Sequence, residues 1–364
     1  MVDWRSTMDQ TFEFYLVDPA SWKDKTLLNT ITSCTIDRDL TVETLGTASI
    51  EGTEVLDECY IRIYLVVIQN GVKTRVPLGT FLVQTPSENH DGRNTLVSMT
   101  GYSPLIELKG TCPPIGYTIP KKDTDTDDAV PIMATASRLC EENLRAPVVA
   151  IETEKVLEKD FVSNLDDTWM TFLNDLIANA KYQFNLDEMG RVIFEPVVDM
   201  RALRPVWTYT DDNSSILYPN ITNERDLYSV PNVVEVVYST TSGSGGTYYR
   251  SSRVVNDDPN SPVSTVNRGR EVMHRETNPN FTGVPSQEDL DYYAKQLLRS
   301  LSSVEHTVTY THGYCPVRIG DCVLLNSKRY GLVNVKAKVI SQSIKCESGC
   351  PVEESAVYTT KLWG

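Results

Sequence analysis

The spacing of apolar residues changes from helical to strand-like in the middle of the chain. Apolar side chains three and four residues apart predict a helix over 167–180. The positions that form this stripe are Trp169, Phe172, Leu173, Leu176 and Ala180. Alternating apolar and polar residues then predict a β-hairpin over 182–195, which turns at Asp187 to Gly190. The helix and hairpin form a mixed module with a strand-rich region on either side.

The first hundred residues contain short β-rich runs separated by turns, with no helical pattern between them. The run 58–68 is rich in β-branched residues and is followed by Gln69-Asn70-Gly71, a strong hairpin turn signal. Its partner over 73–84 contains Pro77, which predicts an edge strand or a bulge. Strands at this spacing indicate a small antiparallel barrel or sandwich, and we assign 1–108 as a first β-barrel.

A different pattern begins after residue 108. The segment 110–131 is rich in proline, glycine and aspartate and predicts an exposed loop that ends at a helix start. Asp127 or Asp128 can cap a helix near 132–144, and Asp166 and Asp167 suit the N-terminus of the later helix. These elements predict an inserted α/β domain over 109–200.

The remainder of the chain returns to strands. A helix is predicted over 286–301, because Ser286 and Asp289 form a capping-box pattern before an apolar stripe. The poorly periodic stretch 201–230 can pack back on the first barrel. The predicted class is α+β, predominantly β: two antiparallel β-barrel domains at 1–108 and 201–364, with the mixed α/β insertion between them.

The charge balance is strongly acidic and changes which partners are expected. The chain has 34 basic and 49 acidic residues, a formal net charge of −15. Such a surface repels phosphate, so no stable nucleic-acid binding is predicted. No apolar run is long enough for a membrane span, and the N-terminus lacks a basic segment followed by an apolar one. The chain is therefore expected to fold in a cytoplasm.

The eight cysteines are scattered, which favours reduced thiols in a chain with no secretion signal. Cys346 and Cys350 are an exception, since Glu347-Ser348-Gly349 between them resembles a three-residue hairpin loop. A disulfide between Cys346 and Cys350 is therefore possible, and two free thiols at a turn fit the same pattern.

No metal, cofactor or catalytic residue is predicted. A zinc site would draw on His312, Cys315, Cys322, Cys346 and Cys350. Six residues separate Cys315 from Cys322, which is too many for a tight ligand pair. The aspartate run after Lys122 fails as a calcium loop, because Asp128 stands where the turn glycine is needed. Motifs of serine hydrolases, zinc proteases and phosphate-binding loops are missing. The chain is expected not to be an enzyme.

Several segments, taken in order, resemble the phage tail and baseplate hub family. The first includes the LGTF sequence at 78–81 and the second is the helix–hairpin module. The segments lie at 58–86, 167–196, 232–239, 286–326 and 338–363. The resemblance is to the T-even-type baseplate hub, which is similar to the N-terminal module of siphophage tail-associated proteins.

The resemblance implies a homotrimer whose two barrels per chain form a ring with pseudo-six-fold symmetry. Such a ring adapts the six-fold tail tube to the three-fold central spike and forms part of the DNA ejection channel. The implied partners are a tail tube or distal tail protein, a separate spike or tip protein, and as a further candidate the tape measure protein. Viral DNA would be contacted only in passage. The implied location is the virion tail, assembled in the cytoplasm of a bacterial host.

Two alternatives remain open. One is a tail-associated carbohydrate-active enzyme or sugar-binding module, since a carboxylate pair needs no sequence proximity and tryptophans can stack on sugars. The other is the hub of a cellular contractile injection system, which has the same fold.

Overall fold

The structure is a computed structural model that describes residues 2–90, 92, 95–123, 126–241, 247–281 and 284–363. Its contacts divide the chain into two units. Unit 1 comprises residues 1–221 and 310–356, and unit 2 comprises residues 222–309 and 357–364. The predicted first barrel and insertion both fall within unit 1, whereas the range 201–364 contributes to both units. The three-domain division stays a prediction.

The described part of the chain is predominantly β. The strands of the first two thirds are β1 (Asp9–Asp18), β2 (Lys23–Leu28), β3 (Ile31–Asp39), β4 (Gly46–Gly52), β5 (Cys59–Gln69), β6 (Val72–His90), β7 (Thr95–Tyr102), β8 (Thr118–Ile119), β9 (Phe161–Val162), β10 (Tyr182–Leu186), β11 (Val192–Pro196), β12 (Trp207–Thr210) and β13 (Leu217–Arg225). The later strands are β14 (Val233–Thr241), β15 (Thr247–Val255), β16 (Met273–Thr277), β17 (Ser303–Gly313), β18 (Cys322–Ser327), β19 (Leu332–Lys345) and β20 (Pro351–Lys361).

Helices are fewer. They are α1 (Ile106–Lys109), α2 (Ile132–Asn143), α3 (Trp169–Asn179), α4 (Thr265–Arg268) and α5 (Gln287–Leu301), with short 3-10 helices at Met200–Ala202 and Lys328–Tyr330. The α+β, predominantly β class predicted from the sequence is confirmed. No helix in the described ranges is long and apolar enough to cross a membrane.

The first seven strands of unit 1 form an antiparallel sheet in the order β2-β1-β5-β6-β7-β4-β3, and β3 pairs on its other side with β19. The turn between β5 and β6 is a two-residue hairpin, with positive φ at Asn70 (51°) and Gly71 (76°). The register shifts beside Pro77, so the predicted bulge is present in a strand that is not at an edge.

A single core cluster holds this sheet together. Phe14 of β1 and Ile36 of β3 belong to the same cluster although four strands separate them, so the sheet curls around its core. The central eight of the eleven residues of β5 are buried. Alternate side chains such as Ile63 enter the main core, while Tyr60 packs with Trp22 and Ala146 on the opposite face. The insertion therefore covers the outer face of β5.

The helices of the insertion start differently from the sequence expectation. The N-cap of α3 is Thr168, which forms a reciprocal capping box with Thr171, while the Asp167 carboxylate binds the backbone of Asn164. Pro131 precedes α2 without a side-chain cap, so neither predicted aspartate caps it. Pro131 can take this position because its fixed φ suits a helix start. The predicted helices over 132–144 and 167–180 are otherwise present.

Two further strand groups complete the description. In unit 1, β12 pairs in parallel with β18, and β18 pairs antiparallel with β19, so the poorly periodic segment after residue 201 contributes a strand to the large sheet. In unit 2, β14 lies between β15 and β16, and α5 buries Leu290, Ala294 and Leu298 against it. Ser286 caps α5 together with Asp289, as predicted.

Candidate functional site

The turn of the β10–β11 hairpin, residues 187–190, lies against the first sheet of unit 1, and we call it the hairpin tip. The carbonyl of Met189 accepts hydrogen bonds from Trp22 Nε1 (2.7 Å) and Arg62 Nη2 (3.0 Å). Gly190 has φ +74°, and a Cβ there would lie 2.6 Å from Thr80 Cβ. The backbone approaches β6 so closely that only glycine fits.

Arg62 holds the hairpin tip against the first sheet. It is the largest fully buried side chain described, at 1% exposure. Its guanidinium pairs with Asp24 (2.7 Å) and donates to Thr80 Oγ1 (3.0 Å). It also donates to the Trp22 carbonyl (3.3 Å). A buried charge is tolerated only when paired and hydrogen-bonded, which these contacts achieve. Arg62 thereby connects β5, β6, the β1–β2 turn and the hairpin tip.

Glu188, which also belongs to the hairpin tip, contacts a residue from the C-terminal part of unit 1. Its carboxylate accepts from Arg318 Nε (2.6 Å), with a second bond to Arg318 Nη2, and lies 4.0 Å from Arg38 Nη1. Arg38 in turn donates to Gln342 (3.2 Å). One short turn thus contacts residues from the first 80 positions and from the last 50. We infer a structural role for it, because paired charges with saturated donors leave little capacity for a ligand.

A small cavity lies beside the hairpin tip. Its volume is about 40 Å³, and Arg38, Asn185, Glu188 and Arg318 are among its lining residues. Asn185 Nδ2 is buried with no protein partner. A cavity of this size holds only one to a few water molecules, so it cannot take a cofactor or a sugar.

A second polar cluster is buried in unit 1 and joins β12, β17 and β20. Tyr209 donates to or accepts from His312 Nε2 at 3.0 Å, and His312 Nε2 lies 3.5 Å from Glu354 Oε2. Tyr310 and Gln342 both donate to the Glu354 carboxylate. His312 and Glu354 are both fully buried.

This cluster has the composition of a nucleophile–base set but not its geometry. Cys315 Sγ lies 3.9 Å from His312 Nδ1. That nitrogen is 2.7 Å from the Gly313 carbonyl, which only accepts, so Nδ1 carries a proton and cannot take one from the thiol. Burial alone would lower the pKa of His312, but hydrogen bonds to Cys315 and Glu354 and the Glu354 charge raise it to about 10. His312 is therefore an imidazolium paired with a carboxylate, and neither reaches a substrate.

The other residues singled out in the sequence lie apart. Cys346 and Cys350 are free thiols at the ends of the loop between β19 and β20, so their disulfide stays a prediction. Cys322 Sγ contacts only a backbone carbonyl in the described hydrogen bonds, away from His312. Within the described ranges, no three histidine, cysteine or acidic side chains are placed to hold a metal ion. Part of the aspartate run after Lys122 lies outside the described residues.

Sequence reasoning did not identify Arg62 or Glu354. For Arg62 a signal existed, since it is the one charged residue inside the apolar run 59–68. For Glu354 the alternation of β20 places it on the same face as Val352 and Ala356, which predicts a buried carboxylate. Their partners could not be read from the sequence, because Met189 and His312 lie far away along the chain.

Comparison with known proteins associates this architecture with phage tail proteins. No protein-family model and no curated protein matches the sequence. The tail protein from Neisseria meningitidis MC58 matches with a TM-score of 0.57 and 12% identity, covering 96% of this chain and 97% of that chain. The 43 kDa tail protein of prophage MuSo2 from Shewanella oneidensis matches with a TM-score of 0.58 and 11% identity, covering 95% of this chain and 98% of that chain.

A third similar structure is a chain of the lidless PdpA–VgrG complex. Its TM-score is 0.52 at 8% identity, and the match covers 97% of this chain but 65% of that chain. At these identities the similarity is one of fold. The chain has a fold shared by two phage tail proteins and by part of a VgrG-containing complex.

Proposed function

We propose that this chain is a structural hub of a phage tail tip or baseplate. In this role three copies form a ring that adapts the six-fold tail tube to the three-fold central spike and encloses part of the DNA ejection channel. Its partners would be further copies of itself, a tail tube or distal tail protein, a spike or tip protein, and the tape measure protein. The site of action would be the virion tail, after assembly in the bacterial cytoplasm.

The observation that carries this proposal is the end-to-end fold similarity to two phage tail proteins. Each match covers at least 95% of this chain and 97% of the other, so the fold similarity extends over nearly the whole length of both chains. The specific similarity to the T-even-type hub rests on the order of all the segments named above, of which those at 58–86 and 167–196 are the first two. In the structure these two segments meet at Arg62 and the hairpin tip.

We further propose that the chain has no catalytic residues. Among the described residues, the set closest to a nucleophile–base pair is His312, Cys315 and Glu354. All three are buried, and His312 Nδ1 carries a proton, so it cannot act as a base toward the thiol. The carbohydrate-active alternative needs an open groove with two carboxylates at a suitable separation. Incubation of the chain with bacterial cell-wall glycans should give no reducing ends. Hydrolysis abolished by changing one exposed carboxylate would favour that alternative.

The charge distribution supports passage of DNA without binding. Unit 2 has eleven acidic and nine basic residues, so most of the acidic excess belongs to unit 1. Each basic side chain on a phosphate would add affinity and slow ejection. The channel surface should therefore be acidic or neutral. Fluorescence anisotropy with labelled duplex DNA at physiological salt should detect no binding, and tight salt-dependent binding would contradict the proposed channel.

The oligomeric state is the direct test of the hub. Native mass spectrometry of the full chain, alone and with its spike protein, should give a trimer of 40.8 kDa chains. A ring is expected because open β-sheets must cover their edges. A chain that stays monomeric at high concentration, and also in the assembled particle, would refute the proposal.

A second candidate is the hub of a cellular contractile injection system, which the match to the PdpA–VgrG chain favours. Both candidates predict a trimeric ring. The two candidates differ in the particle that contains the ring. Affinity purification from producing cells should recover tail tube and capsid components for a phage tail hub, and a sheath without a capsid for an injection-system hub.

A further inference from the structure

Two cysteines from opposite ends of the chain face each other across a strand pair. In the β3–β19 ladder Thr35 is opposite Lys345, so the next pair along is Cys34 with Cys346. The Cys346 amide donates to the Cys34 carbonyl at 2.9 Å, which continues the ladder to this pair. These residues are more than 300 positions apart in the sequence.

Both thiols point into the same core. Side chains two residues apart in a strand share a face, so Cys34 lies beside Ile36 and Cys346 beside Ile344. Cys34, which is 3% exposed, belongs with Ile36 and Ile344 to the core cluster of the first sheet, and the partly buried Cys346 packs against that cluster. Directly opposite residues on one face of a strand pair have neighbouring side chains, so the two thiols lie next to each other.

The backbone geometry suits a covalent bond. Directly opposite residues in a hydrogen-bonded antiparallel pair have Cα atoms about 5.5 Å apart, inside the roughly 4.4–6.8 Å range of disulfides. Their Cβ atoms are usually about 4.5–5.5 Å apart, wider than the preferred ~3.8 Å. Cys346 lies one residue beyond the end of β19, so closing this gap requires a small shift only at the end of the strand pair. Cys350 follows in a tight turn, at φ +41°.

We propose that Cys34 and Cys346 form the oxidisable thiol pair of this protein, in preference to Cys346 and Cys350. The oxidant is a low-molecular-weight disulfide such as oxidised glutathione. The Cys346 thiolate attacks one sulfur of the oxidant, forming a mixed disulfide and releasing one small thiolate. The Cys34 thiolate then attacks the Cys346 sulfur, closing the protein disulfide and releasing the second small thiolate. The protein loses two electrons and two protons, and the oxidant becomes two thiols.

The reaction is expected to be slow in the folded chain. The neighbouring Cys34 thiol and burial both raise the pKa of Cys346 far above its usual range. The attacking thiolate is therefore scarce at neutral pH. A reducing cytoplasm leaves the pair as thiols during assembly, and an oxidising medium after release allows the bond to form. The bond would connect β3 of the first sheet to the end of β19.

The test is disulfide mapping of the full chain after long incubation in oxidised glutathione. Free thiols are alkylated in denaturant, and the chain is cleaved after glutamate, lysine and arginine. Cleavage at Glu347 separates Cys346 from Cys350, and cleavage at Arg318, Lys328 and Lys345 separates Cys346 from Cys315 and Cys322. Exposed Cys112 is an internal control, because it should form a mixed disulfide with glutathione. The expected product is a peptide containing Cys34 joined to one containing Cys346.

Two variants and a second measurement sharpen the result. C34S should lose the crosslink, while C350S should keep it. Refolding from denaturant in a glutathione redox buffer measures which cysteines pair at equilibrium, because the thiols are accessible before the core forms. The oxidised wild type should then unfold at a higher denaturant concentration than C34S. A Cys346–Cys350 product, or alkylation of both Cys34 and Cys346 after refolding in a buffer that modifies Cys112, would overturn the proposal.

Discussion

Removing the buried charge of Arg62 is the most direct test of how the insertion is held on the first sheet. The change R62M keeps an unbranched side chain of similar length and removes all guanidinium donors. The Trp22 carbonyl and Thr80 Oγ1 lose a donor in a buried site. Met189 keeps its bond from the Trp22 indole, so that carbonyl stays satisfied.

The expected loss of stability follows from these contacts. Each buried acceptor left without a donor costs about 1–3 kcal/mol, which gives about 2–6 kcal/mol for two. Asp24 adds less, because its side chain is 29% exposed and Tyr64 still donates to it at 2.8 Å. This agrees with the roughly 3–5 kcal/mol typical of breaking a buried ion pair.

The assay is urea unfolding followed by tryptophan fluorescence. Four of the five tryptophans belong to unit 1, including Trp22 beside the mutated site, so the signal reports mainly on that unit. The matched control is R75M, since Arg75 pairs with Glu13 on a 48% exposed side chain and should cost less than about 1 kcal/mol. Equal losses for R62M and R75M would refute the reasoning that the buried arginine holds the hairpin tip.

Two further predictions follow from the same region and from the buried polar cluster. G190A should destabilise unit 1 by about 1–3 kcal/mol more than G116A, because both glycines have positive φ but only a Cβ at Gly190 meets another residue, Thr80; equal midpoints in urea would contradict the close approach. In ¹⁵N-histidine spectra His312 should stay charged until about pH 10. Burial lowers the pKa of His306, so His306 should be neutral at pH 7. The His312 contribution to stability is thus complete below about pH 6.5 and is lost as pH rises through about 10. The His306 contribution is present above about pH 6.5 and is lost as pH falls through its lowered pKa. Titration of His312 near 6.5 would refute the imidazolium assignment.

Local patterns predicted the elements well where spacing and turn chemistry agreed. The helix over 286–301 was marked by both its apolar stripe and its cap, and α5 begins and ends within a residue of it. The Asn70-Gly71 turn was equally clear, because few residue pairs other than these adopt two consecutive left-handed conformations. Asp167 was a poorer guide, since its carboxylate binds the loop before α3 and leaves the cap to Thr168.

The contacts between the hairpin tip and the rest of unit 1 could not be predicted, because tertiary packing decides which residues meet. Arg62 was visible as a charge in an apolar run, but nothing local indicates that the carbonyl of Met189 would meet it. The same holds for Glu188 and Arg318, which are 130 positions apart. The sequence indicated that a charge needed a partner, and only the fold identified the partner.

The pairing of β3 with β19 has a consequence for how the chain is made. Asp37 and Ser343, which are hydrogen-bonded at 2.6 Å across this strand pair, are 306 positions apart. At a synthesis rate of about 5–20 residues per second, the free edge of β3 waits about 15–60 s for its partner to leave the ribosome. During that interval the first sheet exposes a row of unpaired backbone groups, an arrangement that invites wrong pairing with neighbouring nascent chains. Expression at lower temperature or with added holdase chaperones should therefore raise the soluble yield, and the last fifty residues should determine when the N-terminal sheet becomes resistant to protease.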